Sequence, residues 1–271
     1  MVERFFVSLT LMKKYVLPLL FVILSLPISS QEKAKTPAFK EGEWLQYKLS
    51  YSGFLRAGIA ELSLKKDTIN DKEVMHAKGY GRTSTVIGWF FKVRDTYQTF
   101  MDIDSVKPYL FKRDVYEGGH IIKRDITFNH QKNIAKVEDF KYNTVKEFPI
   151  DNVQDMLSCF YYLRSLDVSN IKENDEININ MFFDSKTYPF KLKFLGKDVL
   201  RTKFGKIKTL KFRPIVQAGR VFKENESVTI WVSADANKIP IRMKASLAVG
   251  SLRAELKKFK GLPNPFEVIF D

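Results

Sequence analysis

Leu45, Tyr47, Leu49 and Tyr51 fall on one parity of the chain, and Gln46, Lys48 and Ser50 fall on the other. An apolar residue at every second position is the signature of a strand with one buried face. The pattern recurs over 56–65, where Gly58, Ala60, Leu62 and Leu64 share a parity, and over 74–81, 91–101, 109–116, 121–129 and 134–140. It resumes over 177–183, 190–195, 206–216, 227–233, 239–247 and 251–260. Turn formers separate these runs: Asn70-Asp71, Gly118-Gly119, residues 129–133 and residues 235–238. Turns this short join antiparallel neighbours, because a parallel pair needs a long crossover. About a dozen strands in a flat sheet would leave one face unburied and two edges open. The expectation is therefore a mainly β fold, a strongly curved antiparallel sheet or incomplete barrel. The basic residues change parity between Lys206, Lys208 and Lys211, Arg213, which predicts a bulge near Thr209-Leu210. The load of aromatics (Phe 23, Tyr 11, Trp 3) suits a β core.

One segment breaks the alternation. Asp151 followed by Gln154 reads as an N-cap with a capping-box partner, and predicts a helix over 151–166. Val153, Met156, Leu157, Phe160 and Leu163 lie on one helical face, while Cys159, Tyr162 and Leu166 lie on another. A helix apolar on most sides is buried on most sides, so this one is expected inside the concavity of the sheet.

The N-terminus reads as a secretory signal. Lys13-Lys14 precede an apolar run over 15–26, and Ile28-Ser29-Ser30 supply small residues before Gln31. Translation from Met12 rather than Met1 would give the more conventional signal length. The run is too short to span a bilayer, which takes about 20 apolar residues. No cysteine stands at the cleavage point, since Cys159 is the only one, so a lipoprotein anchor is not expected. The organisation predicted is a signal peptide over 1–30, a polar tether over 31–42 and a single β-rich domain over 43–271. The protein is expected in the periplasm or secreted, with no stable membrane span after signal cleavage. Removing Arg4, Lys13, Lys14 and Glu3 from the 45 basic and 31 acidic residues leaves 42 and 30, a formal +12. Export argues against nucleic acid as the partner of that charge. Most of it is expected on solvated strand faces, with anionic lipid headgroups or acidic glycans of the envelope as the partners it would suit.

Three stretches together resemble the exported bacterial family catalogued as domain of unknown function 3108. They are residues 155–164 (DMLSCFYYLR), 204–212 (FGKIKTLKF) and 230–242 (IWVSADANKIPIR). The resemblance covers most of the chain after the signal. It implies an envelope protein with a mainly β fold, and it brings no catalytic residues with it. A curved sheet with a helix inside is also similar, more loosely, to the periplasmic lipoprotein-carrier fold, whose members hold acyl chains; likeness of fold does not fix function.

The chemistry-bearing residues are sparse. One Cys and three His exclude an internal disulfide and give no metal-ligand spacing, and no cofactor motif is present. Ser158 lacks a nucleophile-elbow setting, and Cys159 sits among apolar residues that make a thiol inert. Asp102 and Asp104 form half of a calcium loop at most, and read as a turn. His120, with Asp114 and Asp125, is the best available general-base constellation, and reads more simply as a solvated turn residue. The aromatic cluster Trp89, Phe90 and Phe91 is expected at a loop tip, as core or as a contact for ligand or membrane. The favoured function is a non-enzymatic envelope protein that binds or carries a lipid-like amphiphile in the concavity of the sheet. Met156, Phe160 and Tyr161 are the expected lining, with Trp89, Phe90 and Phe91 as a lip. The alternatives are a hydrolase of envelope glycans or lipids, and a structural partner in an envelope assembly.

Overall fold

A computed structural model describes residues 36–216, 228–247 and 249–269. The expected signal segment, and the tether as far as residue 35, lie outside the described residues. Among the described residues, fifteen strands form one sheet. The first eight are β1 (Trp44–Tyr51), β2 (Leu55–Ile69), β3 (Lys72–Thr83), β4 (Val93–Met101), β5 (Pro108–Glu117), β6 (His120–Asn129), β7 (Ile134–Asp139) and β8 (Thr144–Pro149). The rest are β9 (Val153–Gln154), β10 (Glu176–Phe183), β11 (Lys186–Thr202), β12 (Gly205–Val216), β13 (Val228–Ser233), β14 (Pro240–Ser246) and β15 (Ser251–Lys260). Two helices of the described residues interrupt them, α1 (Thr85–Phe90) and α2 (Met156–Ser165).

The order across the sheet is β8-β7-β6-β5-β4-β3-β2-β1-β15-β14-β13-β12-β11-β10-β9. Every neighbour is consecutive in sequence except the central pair, where β1 joins β15. The middle of the chain therefore supplies both edges. No ladder joins β8 to β9, so the barrel stays open, yet the edges approach across the gap. Phe182 of β10 packs its ring edge-on to Phe128 of β6 at 5.8 Å, and lies 6.2 Å from the ring of Phe148 in β8. Asp184, in the β10–β11 turn, accepts from both Arg113 of β5 and Arg124 of β6. Strands far apart in the order meet only because the sheet curls.

Several local features differ from the sequence reading, each for a physical reason. The helix begins at Met156, not at Asp151: Asp155 is the N-cap and Ser158 closes the capping box. Val153 and Gln154 pair in parallel with Asn180 and Met181 instead, so tertiary pairing takes the backbone groups an earlier helical turn would have used. The bulge lies on β11, where Leu195-Gly196 is the irregularity opposite Leu210–Phe212, with Gly196 at φ +101°. Strand β8 carried no alternation because Phe148 is its one partly buried residue and the other five are exposed. Trp89 and Phe90, expected at a loop tip, are in the short helix α1, and Phe91, expected to open a strand, is that helix's C-cap. Ala38 and Phe39, expected in the tether, are buried, with Phe39 against Tyr161 at 4.9 Å.

The buried side chains of the sheet's concave face surround α2. Leu157 enters one cluster with Phe111, Ile126, Phe128, Val153 and Phe182. Tyr161 enters a second with Phe39, Leu64, Met75, Ala77 and Met101. Gly79 of β3 lies under Leu157, and a Cβ there would make an ordinary contact with it at 3.4 Å. At the other end of α2, Arg164 is buried and donates bidentately to Glu43 at 2.6 and 2.7 Å. It also donates to the carbonyls of Ala38 and Asn237 at 2.8 and 3.0 Å. One guanidinium thus ties the helix to the chain entering β1 and to the β13–β14 turn. A buried ion pair holds only with its remaining donors satisfied, which these carbonyls achieve.

Candidate functional site

The side of α2 that faces β10–β14 is less completely filled. Phe160 and Leu163 from the helix face Leu192 of β11, Leu210 and Phe212 of β12, and Ile230 and Val232 of β13. Between them is a cavity of about 110 Å³, whose remaining wall includes Val168, Pro240 and Met243. The polar margin consists of Arg164 and Lys238. Both are engaged: Arg164 with Glu43, and Lys238 Nζ with the carbonyls of Arg164 and Leu166 at 3.0 and 2.5 Å. The strands place this wall by alternation, and the helix places Phe160 and Leu163 one turn apart on one side. An apolar hollow of this size, lined by Leu, Ile and Phe, has room for an apolar group of about benzene size.

The six residues expected to contact a ligand are not brought together. Phe160 lines the cavity. Met156 packs against the Phe111–Phe182 cluster, and Tyr161 is enclosed in the Phe39–Met101 cluster. Burial raises the Tyr161 phenol pKa far above its usual value, and its hydroxyl has no partner among the described residues. Trp89, Phe90 and Phe91 stand at the β3–β4 connection, with Trp89 81% and Phe90 86% exposed. Leu192, Phe212 and Val232 were missed as lining. Their alternation marked them as inward-facing, but nothing local distinguishes a strand residue that meets a helix from one that meets a void.

The titratable candidates are dispersed. His120 stands opposite Glu117 across the β5–β6 ladder, on the face opposite to Asp114 and Asp125. Asp114 stands opposite Lys123, and Asp125 accepts from Lys112 at 2.7 Å. The trio therefore does not converge. His76 is buried between Asp67 at 3.1 Å and Gln98 at 3.0 Å and stacked on Phe100; burial holds its pKa below the ordinary value. His130 bonds the Pro108 carbonyl at 2.8 Å. Asp102 closes the β4–β5 turn by accepting from the backbone of Asp104 and Ser105 and from Tyr109 and Lys72. Among the described residues no three His, Cys, Asp or Glu side chains are grouped to hold a metal. Burial pushes the Cys159 thiol up to about 12, which leaves it protonated and unreactive in the fold. A second, polar cleft of about 500 Å³ lies between the β4–β5 turn and the β9–β11 edge, with Asn152, Gln154, Asn178 and Asn180 in its wall. Ser105, Lys107 and Tyr162 complete its polar wall, and the Ser105 hydroxyl is held by Asp102 at 2.9 Å within the β4–β5 turn.

The family described as "Protein of unknown function (DUF3108)" matches residues 46–257, and the chain belongs to it. Among curated proteins, none matches the chain. A solved structure, the beta-barrel-like protein of domain of unknown function DUF1849 from Brucella abortus, is similar over 83% of this chain and 97% of its own, at 11% identity and a TM-score of 0.53. That likeness concerns the fold alone. Two others, a candidate lipoprotein from Parabacteroides distasonis (12% identity, 83% and 99% covered) and a candidate exported protein with a YmcC-like fold from Bacteroides fragilis (10%, 83% and 98%), have TM-scores of 0.36 and 0.33. At those scores they carry no argument.

Proposed function

We propose that this member of the family is an exported envelope protein that holds the apolar end of an amphiphile in the cavity between α2 and β10–β14. The observation that carries the reading is the cavity wall, which is apolar but for two engaged cations at its margin. Apolar hollows with a few polar groups at the edge are the usual form of a small-molecule site. At about 110 Å³ the space suits the end of a chain rather than a whole lipid. Export is supported by the Lys13-Lys14, apolar and small-residue sequence of the first thirty positions. Among the described residues no helix is long and apolar enough to cross a membrane. The separation of His120 from Asp114 and Asp125 favours binding over hydrolysis.

Native mass spectrometry of the protein purified from the envelope tests both halves of the proposal. The expected spectrum shows an N-terminus near Gln31 and an additional mass of amphiphile size. Met243→Trp, which fills the cavity, should remove that mass and weaken a fluorescent acyl probe by roughly tenfold or more. His120→Ala should leave probe binding unchanged. A wild-type protein that carries no added mass and takes up no probe would refute the ligand reading.

A further inference from the structure

Nearly all the exposed large apolar side chains gather at one end of the sheet. Among the described residues, every one except Val199 belongs to the end that bears the β1–β2 turn. Phe54 lies in that turn and Leu55 opens β2 beside it, Val249 lies in the β14–β15 turn and Leu252 near the start of β15, and Trp89 and Phe90 belong to helix α1. These turns form one continuous rim. Tyr51 Oη donates to the Val249 carbonyl at 2.7 Å, Ser52 N to the Ser251 carbonyl at 2.6 Å, and Ser84 Oγ to the Arg56 carbonyl at 3.0 Å. The Phe91 ring then covers Gly118 of the β5–β6 turn, where a Cβ would lie 2.3 Å from the ring. Helix α1 is five-sixths Val, Ile, Gly, Trp and Phe, yet none of its residues is buried. The fold therefore holds these side chains in water without using them in its core.

The charge beside the rim is equally unaccounted for. Arg82 of β3 and Arg94 of β4 are direct cross-strand partners, both exposed, and neither has an ion-pair partner among the described residues. Like charges placed opposite each other disfavour the sheet. Along the same row stand Tyr116 and Ile121, both exposed. Asp114, two residues along that face, stands opposite Lys123. On the inner face the comparable pair, Arg113 and Arg124, is bridged by Asp184. The outer pair has no such carboxylate.

We propose that this rim docks on an anionic phospholipid bilayer, with Trp89, Phe90 and Phe54 entering the interfacial layer and Arg82, Arg94 and Lys92 meeting the headgroups. Aromatic side chains prefer the membrane interface, and a basic flank beside them adds attraction to anionic lipid. A second copy of the chain is the competing occupant, and a two-fold contact with its axis near the Arg82–Arg94 pair would set that pair against its own charge. The docking does not depend on whether the cavity beside α2 holds a ligand.

The test is flotation of the protein, purified as the cell processes it, with phosphatidylcholine vesicles and with vesicles containing phosphatidylglycerol. The expected result is binding to the second kind, weakened by salt, with a blue shift of tryptophan fluorescence. Trp89→Ser with Phe90→Ser should lower the affinity roughly tenfold or more and abolish the shift. Arg82→Glu with Arg94→Glu should lower it by a similar factor and remove the preference for anionic lipid. All four side chains are exposed, so melting temperature should not change. Binding that is equal on both vesicle types, or unaffected by either double variant, overturns the proposal. So does a lipid-free dimer, seen by analytical ultracentrifugation, that the Trp89→Ser, Phe90→Ser variant dissolves, since the rim would then be a contact between copies.

Discussion

On one side of α2, Leu157 closes against Phe111, Ile126, Phe128 and Phe182, and those four rings and branched chains are almost wholly shielded from water. On the other side, Phe160 and Leu163 stop short of Ile230, Val232 and Met243, and about 110 Å³ is left empty. The two flanks are built from the same materials, a curved antiparallel sheet and one apolar helix. They differ in what reaches inward. The packed flank receives Phe182 and Phe148 across the gap between the sheet edges, so residues from β6, β8 and β10 fill one space. The open flank receives the helix and, from the segment after it, only Val168 and Ile171. An incomplete barrel of this size cannot be filled by one helix of ten residues; where the edges fold in, the core is dense, and elsewhere a hollow remains.

The comparison breaks if both flanks respond alike to truncation. Phe182→Ala removes a ring from close packing and should destabilise the protein by about 3–5 kcal/mol. Ile230→Ala enlarges a space that already exists beside a half-buried side chain, and should cost about 1 kcal/mol. Urea denaturation of both variants measures the difference. Equal losses would mean that the open flank is as well packed as the other.

The helix cap on the packed flank gives a second, pH-dependent contrast. Asp155 is wholly buried and accepts from Leu157 N at 2.7 Å, Ser158 N at 2.9 Å and the Thr99 hydroxyl. Burial raises its pKa from 3.8 to about 6, against the lowering effect of those hydrogen bonds. The folded state thus binds its proton more tightly than the unfolded chain does. The stability from that protonated form is complete below about pH 4 and is lost as pH rises through about 6. When protonated, the carboxyl can donate to Thr99 and still cap the helix through its other oxygen. Relative to Asp155→Asn, which does not titrate, the wild type should lose up to about 3 kcal/mol between about pH 3 and 7. Taking the difference between the two proteins cancels the contributions of Asp95 and His76, which also titrate away from their ordinary values. A flat difference would show that Asp155 is ionised throughout.

Strand parity was enough to foresee most of the sheet, because a half-buried strand writes its burial pattern into every second residue. It missed β8, whose mostly exposed residues leave no such pattern, and it placed the helix start one turn early. Asp151 and Asp155 offer the same local capping chemistry, and only the pairing of Val153 with Asn180 decides between them. The Arg164–Glu43 pair spans 121 residues, so nothing local foretold it or the burial of Phe39 beside it. The exposed cluster at Trp89 was visible as an apolar run, but its isolation from the core was not, since buried and exposed aromatics read alike. The cavity was least legible of all. It depends on the volume left between side chains from six elements, and sequence gives their identity without their reach.

The smallest effect expected is also the one that most sharply separates the flanks, because its sign should reverse. Val153 is fully buried in the packed cluster, and Val232 lines the cavity. Replacing each by Ile adds one methylene and keeps the β-branched shape that suits a strand. At Val153 there is no room, so the new atoms must displace Leu157 or Phe182, and stability should fall by about 1 kcal/mol or more. At Val232 the methylene enters empty space, gains contacts and leaves water, and stability should rise by about 0.8 kcal/mol. Melting curves of the two variants beside the wild type decide the matter. A loss at both positions would mean that the hollow beside α2 collapses onto Val232 in solution. The amphiphile site would then have no standing volume, and a ligand would have to open the space it occupies.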